Sequence, residues 1–243
     1  MELAWIALGI FILLAYTLEA VTGFGSIVIA FSLGALLLPI ELLLPILVPL
    51  NICMTGYLSW RYRKLIDLKL LLGMILPGMA VGTIIGYALL PVIDAQLAKR
   101  ALGVLILVFA GRELLRLRTS SVSHARPLWQ NRMITVAAGI SHGLFASGGP
   151  LLVHALAGNT LDKSRFRATL VCVWFSLNSL LTLAFMLDGR LYPTLPQVAF
   201  YAPLLLIGVW LGERLHRHVN EQYFRIAIYS LLLVTGCLLL IPR

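Results

Sequence analysis

The feature that most constrains this chain is a succession of long apolar runs punctured by glycine. The runs cover roughly 3–21, 27–38, 42–60, 70–91, 99–115, 133–147, 150–158, 168–187, 196–212 and 222–241. Several reach about 20 residues, the length an α-helix needs to cross a hydrocarbon core about 30 Å thick. Hydrophobic residues make up 60% of the chain and charged residues 12%, about half the charged share of a soluble globular domain. In lipid only helices and closed barrels satisfy every backbone polar group. The runs are continuous and do not alternate over about ten residues, so they read as helices and not as barrel strands. The expected fold is an all-α polytopic membrane protein with about 8–10 membrane segments.

The first run, Leu3 to Val21, has no basic start and no small-x-small site after it. It reads as a membrane helix and not as a removable leader. Cys53, Cys172 and Cys237 all fall inside apolar runs, at no metal-binding spacing, and read as small buried hydrophobes.

The net charge of +9 does not point to nucleic acid. Of the 19 basic residues, 15 fall in the stretches 61–69, 112–132, 162–167 and 213–225. Basic loops mark the cytoplasmic side of a membrane protein. Placing all four there closes the count of crossings, with both termini outside.

The chain repeats itself. "PGMAVGTIIG" carries Pro77, Gly82 and Gly86, and "PLLLIGVWLG" carries Pro203, Gly208 and Gly212, at an offset of 126 residues. At that offset Gly23 falls on Gly149, and Asn51 falls one residue from Asn178. Each half reads as a helix, a glycine break, a short helix, and then three spanning helices. The expected organisation is a first membrane repeat over 1–115, a basic cytoplasmic connection over 116–132, and a second repeat over 133–243. An odd number of crossings per half makes the two repeats inverted.

Inverted repeats with interrupted helices are the pattern of secondary transporters, whose sites lie where the broken helices meet. A break frees backbone amides at the start of the next helix, and these favour an anion. The breaks are "EAVTGFGS", Glu19 to Ser26, and "SHGLFASGGP", Ser141 to Pro150. Expected substrate contacts are Thr22, Gly23, Gly25 and Ser26 at the first break and Ser147, Gly148, Gly149 and Pro150 at the second. Asn51 and Asn178 join them by their near-symmetric placement. Ionisable groups inside a membrane are costly and point to function, so Glu19, His142 and His154 are candidates for proton coupling, with Glu19 either protonated through burial or paired with His142 across the breaks. Each of these has a plainer reading. Glu19 could sit near an interface, His142 and His154 could bond a nearby carbonyl, and the asparagines could only join helices.

The stretches "TGFGSIVIAFSL", "RYRKLID" and, from Gly143, "GLFASGGPLLV" resemble the TauE/SafE family of sulfite and organosulfonate exporters, and the resemblance covers nearly the whole chain. It implies transport of small, often sulfur-containing anions. The sequence physics alone reaches a small-anion site at broken helices. No G-x4-G-K-[ST] pattern is present, so ATP drive by this chain is not expected. The expected partners are a small anionic substrate and the lipid bilayer, without nucleic acid and without a cofactor. The pattern is compatible with a homodimer. Two rival classes are a membrane-embedded metal-dependent enzyme, with Glu19, His142 and His154 as ligands, and a non-transporting membrane assembly protein. The first lacks any H-E-x-x-H pattern, and the second has no use for symmetric broken helices.

Overall fold

The computed structural model describes residues 2–22, 25–118, 127–156, 162–215 and 221–241. Its described elements are all helical. In order they are α1 (Glu2–Thr22), α2 (Ser26–Gly34), α3 (Ile40–Arg61), α4 (Leu68–Leu70), α5 (Leu76–Leu89), α6 (Ala95–Arg118), α7 (Leu128–Phe145), α8 (Gly149–Ala155), α9 (Lys163–Leu187), α10 (Leu195–Leu215) and α11 (Glu221–Leu240). A π-helical turn over Leu71–Ile75 joins α4 to α5, and short 3-10 turns follow α3 and precede α10.

Five stretches among the described residues are long and apolar enough to cross a membrane: Glu2–Glu19, Ile40–Arg61, Leu68–Leu89, Ser164–Leu187 and Tyr192–Gly212. Large apolar side chains on these spans point outward, among them Leu72, Ile84, Leu183, Phe200 and Leu206. So much exposed apolar surface is stable against lipid and not against water. The cysteines correct the expectation of burial. Cys53 and Cys237 are exposed and Cys172 is half-buried, because an outward position suits a small hydrophobe as well as the core does when the solvent is lipid.

The chain forms two compact units, each drawing on both halves of the sequence. The first comprises 1–44, 93–122 and 199–243, and the second 45–92 and 123–198.

In the first unit α2 packs against α1, α6 and α11. Every residue from Ser26 to Gly34 is buried, as expected of a helix apolar on all sides. Gly103 of α6 and Gly236 of α11 lie against each other, which brings those two helices close. The Tyr201 hydroxyl on α10 donates to the Trp5 carbonyl of α1 at 2.8 Å. Gly208 of α10 rests on Leu13, Tyr16 and Thr17 of α1.

The second unit is organised by α5 and α7. Gly82 and Gly86 of α5 face Gly139 and Gly143 of α7 so closely that a Cβ on any of the four would strike backbone of the opposite helix. Two small-xxx-small faces thus interlock. Leu71, Ile75, Met79, Ala138, Leu152, Leu170, Val173 and Leu177 build the core around them. Asp67 caps α4 by accepting from the Leu70 amide, and its own amide donates to Thr169 Oγ1 on α9.

Proline leaves a trace in α3. Pro49 has no N–H, so it cannot bond the carbonyl four residues back. That carbonyl belongs to Pro45, and the buried Thr194 hydroxyl, which donates to the Leu191 carbonyl at 2.8 Å, shares its one proton with it at 3.3 Å.

Candidate functional site

Both glycine-rich stretches interrupt helices. The first break belongs to the first unit. α1 ends at Thr22, and α2 starts at Ser26 after Gly25, which has φ 104°. Glycine adopts this left-handed conformation without the steric cost borne by other residues. Glu19 and Ser26 are buried. Gly23 and the side chain of Thr22 lie outside the described residues.

The second break belongs to the second unit. α7 stops at Phe145, and Ala146 takes φ 49°, with its amide bonded to the His142 carbonyl at 2.7 Å. A left-handed alanine costs energy that glycine avoids. Ser147 then donates to the Phe145 carbonyl at 2.8 Å, and Ser141 donates to the Ser147 carbonyl at 3.1 Å. Hydroxyls therefore satisfy backbone groups that the broken helix would leave bare. Gly148 has no room for a side chain, since a Cβ there would strike the Ala138 carbonyl and crowd His142 and Met79. Gly149 opens α8, and Pro150 fits the first turn, where its missing N–H costs nothing. His154 sits half-buried in the last turn of α8.

Beside this break the second unit gathers further polar side chains in its interior. Asn178 Nδ2 on α9 donates to Asn51 Oδ1 on α3 at 2.7 Å. The His142 ring stacks on Trp174, with centroids 5.7 Å apart and planes at 24°. Asn178 is the polar side chain next to that ring, although the contact falls outside good hydrogen-bond geometry. Eight of the expected site residues, Asn51, His142, Ser147, Gly148, Gly149, Pro150, His154 and Asn178, thus share one unit, where Asn51 bonds Asn178 and the amide of Asn178 adjoins His142. Glu19, Gly25 and Ser26 belong to the other.

Trp174 escapes a sequence reading that assigns tryptophan to the membrane interface. Its spacing carried the signal. It stands four residues before Asn178, on the same face of α9. Among the described residues no group of three or more His, Cys, Asp or Glu is placed to hold a metal ion.

Apolar helices long enough to cross a membrane, two breaks at glycine, and a buried polar cluster in the second unit are features of a membrane transporter. The chain matches the sulfite exporter TauE/SafE family over residues 8–239, and it belongs to that family. It is also 29% identical over 167 residues to a protein of Comamonas testosteroni named "Probable inner membrane transporter protein TsaS". The match covers 68% of this chain and 69% of that protein. No solved structure matches the chain.

Proposed function

We propose that the protein is a secondary transporter of the bacterial inner membrane. It exports a small anion (sulfite, a sulfonate or a related sulfur-containing anion) by alternating access, holding it at the glycine-broken helices. The observation that carries this reading is the second break, where a helix stops and restarts inside the protein and every break residue from Ala146 to Pro150 is buried. Irregular backbone at membrane depth survives where it is enclosed by protein or lines a path for solute.

Alternating access draws support from paired contacts. In the second unit Gly78 of α5 lies against Thr135 of α7, and in the first Leu204 of α10 lies against Gly9 of α1. Residues 78 and 204, and residues 9 and 135, are each 126 apart. Equivalent positions of the two halves meet in equivalent ways, which supports a repeat and is compatible with the inverted arrangement. Export needs no ATP, because a negative charge leaving a cell with a negative interior gains about 2.3 kcal/mol per 100 mV. Glu19, His142 and His154 stand as the proton-coupling candidates.

The test is sulfite flux from loaded proteoliposomes. Gly149→Leu and Gly25→Leu should each abolish flux while leaving membrane insertion intact, since a bulky side chain would occupy the break. Normal flux in both variants places the substrate elsewhere and refutes the reading.

A further inference from the structure

Among the buried polar atoms of the second unit that have no hydrogen-bond partner among the described residues, four belong to three adjoining side chains: Nδ1 and Nε2 of His142, Nε1 of Trp174 and Oδ1 of Asn178. The three side chains are 1%, 6% and 1% exposed, so water does not serve them from outside. They are neighbours, the His142 ring stacking on Trp174 and adjoining the Asn178 amide. A buried polar atom without a partner is costly, and several together in a native fold ask for a ligand.

We propose that His142, Trp174 and Asn178 form a binding site for a singly charged oxyanion, taken up together with one proton on His142. An imidazolium has two N–H donors. One reaches Asn178 Oδ1. The other joins the indole N–H of Trp174 in donating to oxygens of the anion. Asn178 Nδ2 keeps its bond to Asn51 Oδ1, which leaves Oδ1 as the amide atom free to accept. One proton and one anion thereby satisfy all four atoms.

Charge sets the class of ligand. No lysine or arginine is among the buried residues described, and His142 is the member of this cluster able to become positive. One positive charge offsets one negative charge. A dianion would retain net charge in a low-dielectric interior, and the cost of desolvating an ion grows with the square of its charge. The ionisable groups on the elements around α7 are engaged or distant. Tyr87 on α5 donates to Asp188, Asp67 caps α4, and His154 on α8 has contacts of its own. On α9, Cys172 lies next to Ser176 and Ser59, while Arg165 and Arg167 lie seven or more residues before Trp174, about 10 Å or more along the axis. On α3, Arg61 lies beside Tyr57 and Tyr62 at the far end of the helix from Pro45.

The inference rests on the transport reading for the kind of ligand, an anion, and adds its charge and its contacts. Its test measures binding, so the two can fail separately. The purified full-length protein is titrated calorimetrically with methanesulfonate and with sulfate, which carry one and two charges at every working pH. Repeating each titration in buffers of different ionisation enthalpy counts the protons taken up. Methanesulfonate should bind at least about tenfold tighter than sulfate, with about one proton absorbed per anion near pH 8. His142→Gln should abolish the proton uptake and weaken binding about tenfold or more. Trp174→Phe keeps the stacked ring and loses the N–H. It should weaken binding about tenfold with proton uptake retained, and it carries the test if the histidine variant does not fold. Equal affinity for the two anions, proton uptake persisting in His142→Gln, or no binding of either anion by the parent overturns the site. Anion flux in proteoliposomes with binding unchanged in both variants also overturns it and spares the transport reading. Binding as expected but no flux sinks the transport reading and spares the site.

Discussion

Asn178 on α9 donates from Nδ2 to Asn51 Oδ1 on α3 at 2.7 Å, inside the second unit and across 127 positions of sequence. Both residues are 1% exposed. Removing either partner leaves the other buried and short of a bond, whereas removing both leaves neither amide behind unpaired. Asn51→Leu and Asn178→Leu should each cost about 1–2 kcal/mol of stability, and the double variant should cost less than their sum. Unfolding of the four proteins in detergent measures this, and strict additivity would show that the pair is not coupled.

The α5–α7 contact admits no added carbon. Gly82→Ala or Gly139→Ala must push two backbones apart and should cost about 1–3 kcal/mol or more. Gly73, in the π-helical turn, has nothing within 4 Å of a built Cβ, so Gly73→Ala should stay within about 0.5 kcal/mol of the parent. Thermal unfolding of the three variants checks this, and equal loss in all three would refute the packing argument.

Thr194→Val tests the proline gap in α3. Valine matches the shape of threonine but removes the one hydroxyl proton that the Leu191 and Pro45 carbonyls share. The expected loss is about 1–2 kcal/mol. Thr194→Ser, which retains the hydroxyl, should recover most of it. A valine variant as stable as the parent would mean that the carbonyls find another donor.

At the end of α9, Asp188 accepts from Arg190 Nε at 2.7 Å and from the Tyr87 hydroxyl, and Arg190 lies over the Tyr87 ring at 4.9 Å. Partial burial pushes the carboxyl up, but the bonds from Arg190 and Tyr87 outweigh it and hold it below its usual 3.8. A depressed carboxylate contributes stability that is present above its unfolded value and lost as pH falls through its folded one. Both side chains are a third exposed, so the contribution is under about 1 kcal/mol after screening. Asp188→Asn should therefore be slightly less stable than the parent at pH 7 and match it below about pH 3. A deficit that persists at low pH would point to packing and not to charge.

The concentration of basic residues leads to the expectation that the connection between α6 and α7 faces the cytoplasm. With Cys53, Cys172 and Cys237 replaced, a cysteine at the exposed position Leu128 should react with an impermeant maleimide in inside-out vesicles and not in intact cells. The opposite result would invert the topology.

Much of the fold was legible because lipid imposes simple rules. Runs of about 20 apolar residues had to become helices, and the order of long and short helices follows the glycine breaks in "TGFGS" and "SGGP". Pro150 and Gly25 announced the starts of α8 and α2, since one fixes φ and the other frees it. Ala146 gave no such sign. Nothing local favours φ 49° for an alanine, and the surrounding packing imposes it.

Read alone, the residues pointed to the class of protein, the places where helices break, and the polar residues inside the membrane-sized runs. They also set Gly82 against Gly208 at the repeat offset and Asn51 one residue from Asn178. Tertiary structure alone decided partners. Gly82 and Gly86 meet Gly139 and Gly143 of the other sequence half, and Trp174 turns inward onto His142. The physical reason is that hydrophobic periodicity separates inside from outside only when the solvent is water. In lipid both faces of a helix are apolar, so close packing and buried hydrogen bonds choose the neighbours, and these exist only once the helices have met.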